Sequence, residues 1–191
     1  MGKVLKVYLA SKSPRRKELL LQIGVEFECL SADIDESVRN NEAPLDYVQR
    51  IAQSKAVAGW SSNARKQEIP LVAADTSVVV GEQILGKPKS KQDAIQMLNM
   101  LSDNTHLVMT CVVVTNGLKT VNKTSVTEVK FAKLKEQQML DYIATGDCFD
   151  KAGGYGIQGY AARFIENING SYTGVVGLPV FETAQILEQF E

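Results

Sequence analysis

The run Ser11-Lys12-Ser13-Pro14-Arg15-Arg16 has the chemistry of an anion site. Ser13 is placed as a helix N-cap, with a hydroxyl able to accept from the first-turn amides. Pro14 suits the first helical position, where no backbone donor is missed. The unpaired amides and the positive end of the helix dipole then face whatever sits above the turn. Arg15 and Arg16 add planar forks matched to phosphate oxygens. A plain solvated helix start is the alternative. Two serines and a proline beside three basic residues favour an anion, with Ser11, Ser13, Arg15 and Arg16 as its contacts.

Asp75 is the most informative acid. It interrupts Leu71 to Val80, an otherwise apolar run of a kind expected of a central strand buried on both faces. A carboxylate there is costly unless paired, hydrogen-bonded or metal-bound. Either Asp75 caps a strand end at the surface, or it is a site acid at the carboxyl end of a strand, where α/β sheets place ligands. Asp33, Asp35 and Glu36 form a second acidic group, solvated unless the loop faces Asp75. Facing it, two such acids with a triphosphate would make a Mg²⁺ or Mn²⁺ site. Lys87 lies on a loop stiffened by Pro88. Lys55 falls late in a helix and reads equally well as an exposed residue.

Asp150 to Gly159 holds four glycines in ten residues. It has neither P-loop nor dinucleotide-fingerprint spacing. It reads either as a loop needing positive φ or as backbone that approaches a flat ligand, with Gln158 supplying a donor and an acceptor.

The elements that must position these groups follow from periodicity and turn chemistry. Strands are expected at Val4–Ala10, Phe27–Ser31, Leu71–Val80 and Phe164–Ile168. A hairpin is expected from Thr105–Thr115 and Thr120–Phe131 about Asn116-Gly117. Helices are expected at Pro14–Ile23, closed by Gly24, and at Leu45–Trp60. Others should open at the Ser90/Asp93 capping box and run to about Leu101, span Lys135–Thr145, and close the chain over Pro179–Phe190, with Pro179 at N1. This alternation implies a mixed α/β sheet with helices outside.

With 191 residues the chain can bury roughly 70% of its unfolded surface. Its net charge of −1 argues against nucleic acid held by a broad basic field. No apolar run approaches the ~20 residues of a membrane span, and the first ten residues, with Lys6 among them, do not read as a signal peptide. Three scattered cysteines, Cys29, Cys111 and Cys148, read as reduced, buried or half-buried thiols of a cytoplasmic protein. The single His106 leaves no histidine metal cluster.

Ser11–Arg16, Ala74-Asp75-Thr76, Gly86-Lys87-Pro88 and Asp150–Gly159, with Asn169-Gly170-Ser171-Tyr172 and Gly177-Leu178-Pro179, together resemble the Maf family of nucleoside triphosphate pyrophosphatases. Order and spacing agree over nearly the whole chain, residues 1–191 reading as one such domain. The resemblance implies a mixed, twisted sheet flanked by helices, in two ITPase-like lobes about a cleft. It implies hydrolysis of a nucleoside triphosphate at the α–β linkage, with Mg²⁺ or Mn²⁺, and a homodimer that no sequence feature requires. It puts the catalytic acid on Asp75, phosphate contacts on Arg15, Lys55 and Lys87, and a further acid on Glu36. Whether Asp75 acts as base or metal ligand stays open; Glu36 would share the metal with it. Base selection falls on Arg15, Thr76 and Gln158. Tyr155–Gly159 is similar to the branch acting on dTTP and UTP, with a canonical or a modified pyrimidine nucleotide left open as the physiological substrate, whereas the branch preferring 7-methyl-GTP carries Glu at the Gln158 position. An amide can serve both the carbonyl and the N3–H of a pyrimidine, whereas a carboxylate only accepts. The other reading is a nucleotide-binding regulator linked to septum formation.

Overall fold

The computed structural model describes residues 5–190. Its order is β1 (Lys6–Leu9), α1 (Pro14–Gln22), β2 (Glu26–Cys29), α2 (Pro44–Trp60), β3 (Leu71–Val80), β4 (Gln83–Leu85), α3 (Lys91–Leu101), β5 (Thr105–Thr115), β6 (Thr120–Phe131), α4 (Glu136–Ala144), β7 (Ile165–Asn169), α5 (Tyr172–Val176) and α6 (Val180–Leu187). Hydrogen bonding runs β2-β1-β3-β5-β6-β7, with β4 also on β3. β1 pairs parallel with β2 and with β3, while β4 on β3 and β7 on β6 are antiparallel. The sheet is therefore mixed, as the alternation of elements implies.

The chain divides into two compact units, and β3, β5 and β6 each pass from one to the other. The first unit comprises the chain up to Asp75, Thr110–Ser125 and the part from Gly177 onward. Val7, Tyr8 and Leu9 of β1 and Leu71–Ala74 of β3 are buried there, as are Val48, Ile51, Ala52 and Ala56 of α2. Gly59 sets the distance of α2: a Cβ on it would lie 2.8 Å from the Ala10 Cβ and 2.9 Å from the Leu71 Cδ1.

The second unit comprises Thr76–Met109 and Val126–Val176. Its core gathers Val78, Leu98, Leu101, Phe131, Tyr142 and Phe164 among others. Gly153 and Gly154 take positive φ of 67° and 69°, so the left-handed backbone expected in the glycine-rich segment is present.

Several boundaries move. Val4, the expected start of β1, lies outside the described residues. Pro44 occupies the first helical turn of α2 rather than the preceding loop. Pro179 is the N-cap of α6, not its first residue, and α6 gives way to a 3₁₀ turn at Glu188–Phe190. Ser13 is the N-cap of α1 but makes no side-chain capping bond. At α3 the Ser90 hydroxyl does accept from the Asp93 amide, while Asp93 Oδ2 reaches past the cap to the Lys89 amide. β4 and α5, too short for a periodic signal, go unforeseen. Cys29 is exposed, against expectation; Cys111 and Cys148 are buried, and all three are free thiols.

Candidate active site

Asp75 sits in the middle of β3, not at its carboxyl end. Parallel pairing to β1 stops at Leu9↔Val72 and antiparallel pairing to β4 begins at Val78. Its carboxylate is answered from α2. Leu71 and Asp75 share a strand face, since side chains alternate, and Lys55 and Gly59 share a helix face, being four apart. Gly59 against Leu71 therefore brings Lys55 over Asp75. Lys55 Nζ lies 2.8 Å from Asp75 Oδ1 and 2.8 Å from Glu36 Oε1. The Lys55 and Asp75 side chains are 13% and 10% exposed, and that of Glu36 is 49% exposed. The reading of Lys55 as an exposed helix residue falls. The acidic loop does face Asp75, through Glu36.

Burial drives the Asp75 carboxyl above its ordinary range, opposed by the charges of Lys55 and Arg16. Burial likewise lowers the Arg16 guanidinium, which Asp75 partly offsets. Arg16 is 9% exposed. Its Nε donates to the Gly177 carbonyl at 2.8 Å and its Nη1 to Ser11 Oγ at 3.3 Å, and that hydroxyl also accepts from the Ser13 amide. The basic turn is thus fixed from within, with Arg15 half-buried beside it.

The loop carrying Glu36 is tied to α2 by residues that the sequence reading misses. Tyr47 donates its hydroxyl to the Glu36 carbonyl at 3.0 Å. Arg50 bonds Glu42 through two nitrogens, with Nη2 at 2.7 Å, and reaches the Ser37 carbonyl at 2.9 Å. Arg50 holds Glu42 well below the usual carboxylate range, at about 2. Burial, with Asp75 and Glu36 nearby, pushes the Tyr47 phenol up to about 12. The signal available was Tyr47, Arg50 and Lys55 on adjoining turns of one helix.

Thr76 follows Asp75 on β3, half-buried, and by strand alternation leaves the opposite face. Lys87 and Gln158 belong to the second unit and are both exposed. Their loops meet: the Gly153 amide donates to the Gly86 carbonyl at 3.0 Å, and a Cβ on Gly154 would lie 3.0 Å from the Pro88 Cγ. Gln158 stands on a turn closed by the Gly159 amide on the Gly156 carbonyl at 3.2 Å.

The donors beside Lys55 are hard carboxylate oxygens, the type that suits Mg²⁺ or Mn²⁺. No group of three metal-binding side chains occurs among the described residues. Glu36 and Asp75 are both bonded to Lys55, and a cation held by these two carboxylates would draw its other ligands from substrate or water oxygens.

A mixed α/β protein with a buried carboxylate, a lysine bonded to it and a basic helix start beside a serine turn is equipped to handle an anionic substrate. It belongs to the Maf family: the model for "Maf-like protein" matches residues 6–190. Among curated relatives, the Chromobacterium violaceum protein named dTTP/UTP pyrophosphatase is 50% identical over 97% of this chain and 94% of its own. Proteins of the same name from Aromatoleum aromaticum and Saccharophagus degradans are each 47% identical, over 97% of this chain and 95% and 89% of theirs. Of solved structures, the Staphylococcus aureus Ham1 protein aligns at TM-score 0.43 and 16% identity, over 68% of this chain and 73% of that one. Among the described residues no helix is long and apolar enough to cross a membrane.

Proposed function

We propose that this protein is a cytoplasmic pyrophosphatase acting on dTTP and UTP, releasing the nucleoside monophosphate and pyrophosphate. The observation that carries this is the match, across 97% of the chain, to relatives bearing that name. The cluster of buried Asp75 and Lys55 with exposed Glu36 supports catalysis over mere binding, since an acid beside phosphates hinders a binder and serves an enzyme.

Water attacks the α-phosphorus, and the bond from that phosphorus to the oxygen bridging to the β-phosphate breaks. Pyrophosphate leaves with that oxygen. Asp75 takes the proton of the attacking water, a role helped by a carboxyl raised above its ordinary range. Lys55, Arg15 and Lys87 hold phosphate oxygens and balance charge on the departing group. Ser11, Ser13 and Arg16 shape the turn that receives them. Glu36, joined by Asp75 where that acid is a ligand and not the base, would hold a divalent cation, which would neutralise triphosphate charge when bound. Arg15, Thr76 and Gln158 select the base, Gln158 by matching the carbonyl and N3–H of uracil or thymine.

Pyrophosphate release across a panel of nucleoside triphosphates, with and without Mg²⁺, tests the reading. Release from dTTP and UTP and Mg²⁺ dependence are expected. No release from any triphosphate would favour a nucleotide-binding regulator instead.

A further inference from the structure

The core of the second unit contains a polar pair with one nitrogen left unpaired. His106, on β5, is 1% exposed, and its Nε2 lies 2.7 Å from the Tyr155 hydroxyl, itself on a residue 5% exposed. Phe131 closes the third side, its ring centroid 4.8 Å from that of Tyr155 and 5.2 Å from that of His106, all edge to face. His106 Nδ1 is buried and has no hydrogen-bond partner among the described residues. An unpaired buried nitrogen costs about 1–3 kcal/mol. What the pair provides in return is direction: ring packing fixes where a phenol lies, and a hydrogen bond fixes where its oxygen points.

Tyr155 leads at once into the Gly156–Gly159 turn that displays Gln158. The rest of that turn is clamped as well. A Cβ on Gly156 would lie 2.7 Å from the Lys151 Cε, and one on Gly159 would lie 2.7 Å from Asp147 Oδ2. Lys151 Nζ bonds both the carbonyl and the carboxylate of Asp147, each at 2.7 Å. Beyond the turn, Tyr160 stacks on Tyr142 with centroids 5.9 Å apart. Gln158 therefore rides between two anchored aromatic residues. Burial lowers His106 to about 4 and raises the Tyr155 phenol, so both stay neutral and the bond is constant through the physiological range.

We propose that His106 is a positioning residue for nucleotide selection: its bond to Tyr155 fixes the Gly156–Gly159 turn and so the presentation of Gln158. This rests on the reading above, in which Gln158 selects the pyrimidine.

The test compares kcat/KM for dTTP and dCTP, which differ at the base edge that an amide would read. His106→Phe should lower the preference for dTTP about ten-fold, the worth of one orienting hydrogen bond, with little change in Tm, since it removes the unpaired Nδ1 but leaves the Tyr155 hydroxyl without its partner. Tyr155→Phe, which removes the same bond by deleting one oxygen, should do the same. The double variant should add nothing, and His106→Gln should restore part of the preference. Amide exchange at residues 156–159 should quicken in His106→Phe and Tyr155→Phe. If both variants fold and keep both the preference and the exchange rates, the proposal is overturned. Gln158→Ala separates the failures. If it keeps the preference, the base reading falls and the proposal with it; if it loses the preference while Tyr155→Phe does not, the proposal alone falls.

Discussion

At Asp75 burial outweighs the charges of Lys55 and Arg16. Because burial raises its folded pKa above the ordinary 3.8, the protonated acid is the form the fold prefers. Its contribution to stability is therefore fully present below 3.8 and is lost as pH rises through the raised folded value. Asp75→Asn removes that loss. Tm at pH 7, read by calorimetry, should hold or rise, because Lys55 keeps Glu36. Turnover should fall by roughly 10²–10⁴, the usual worth of a positioned base. In the unaltered enzyme the acid limb of kcat/KM, which reports the free protein, should lie above 3.8; a limb at or below that value would remove Asp75 as base. Lys55→Met has the opposite consequence. It leaves Asp75 buried without its lysine, and urea titration should show a loss of about 3 kcal/mol at pH 7.

At the scale of elements, the loop after β2 depends on α2. Glu42 is held at about 2 against an ordinary 4.5, so its contribution is fully present above 4.5 and is lost as pH falls toward 2. Urea midpoints at pH 6 and pH 3 should therefore differ less in Glu42→Gln than in the unaltered protein. Gly153→Ala tests the glycine-rich segment: at φ 67°, its Cβ would lie 2.7 Å from Val78 Cγ1 and 2.8 Å from Val78 Cβ. Left-handed strain and overpacking together should cost about 2–4 kcal/mol, read as a lowered urea midpoint. These elements differ in how well the sequence announced them. Asp75 stood out because a charge in a ten-residue apolar strand is costly, and α2 because its buried residues recur at helical period. Lys55 did not stand out, since its partners lie 19 and 20 residues away along the chain. The packing of Gly59 on Leu71 and Ala10 is what brings a surface-looking lysine onto the buried carboxylate. The Arg50–Glu42 bond and the His106–Tyr155 pair were hidden for the same reason: loop and tertiary contacts carry no period.

The whole molecule divides its proposed labour along the chain. Asp75, Lys55, Glu36 and the basic turn lie in the first unit; Gln158, Lys87 and the residues that hold their loops lie in the second. Neither unit is contiguous, and β3 leaves the first between Asp75 and Thr76. The Arg16–Gly177 bond joins residues 161 positions apart, and the last segment, with α6, also belongs to the first unit. Contacts this distant in sequence form late in folding, after most of the loop entropy has been overcome. On the ribosome, where N-terminal parts emerge first, the turn at Ser11–Arg16 leaves the exit tunnel before Gly177 does. It then waits for the Gly177 carbonyl. Translation thus makes this turn well before the carbonyl that completes it, so a partly synthesised chain carries Arg16 without its Gly177 partner.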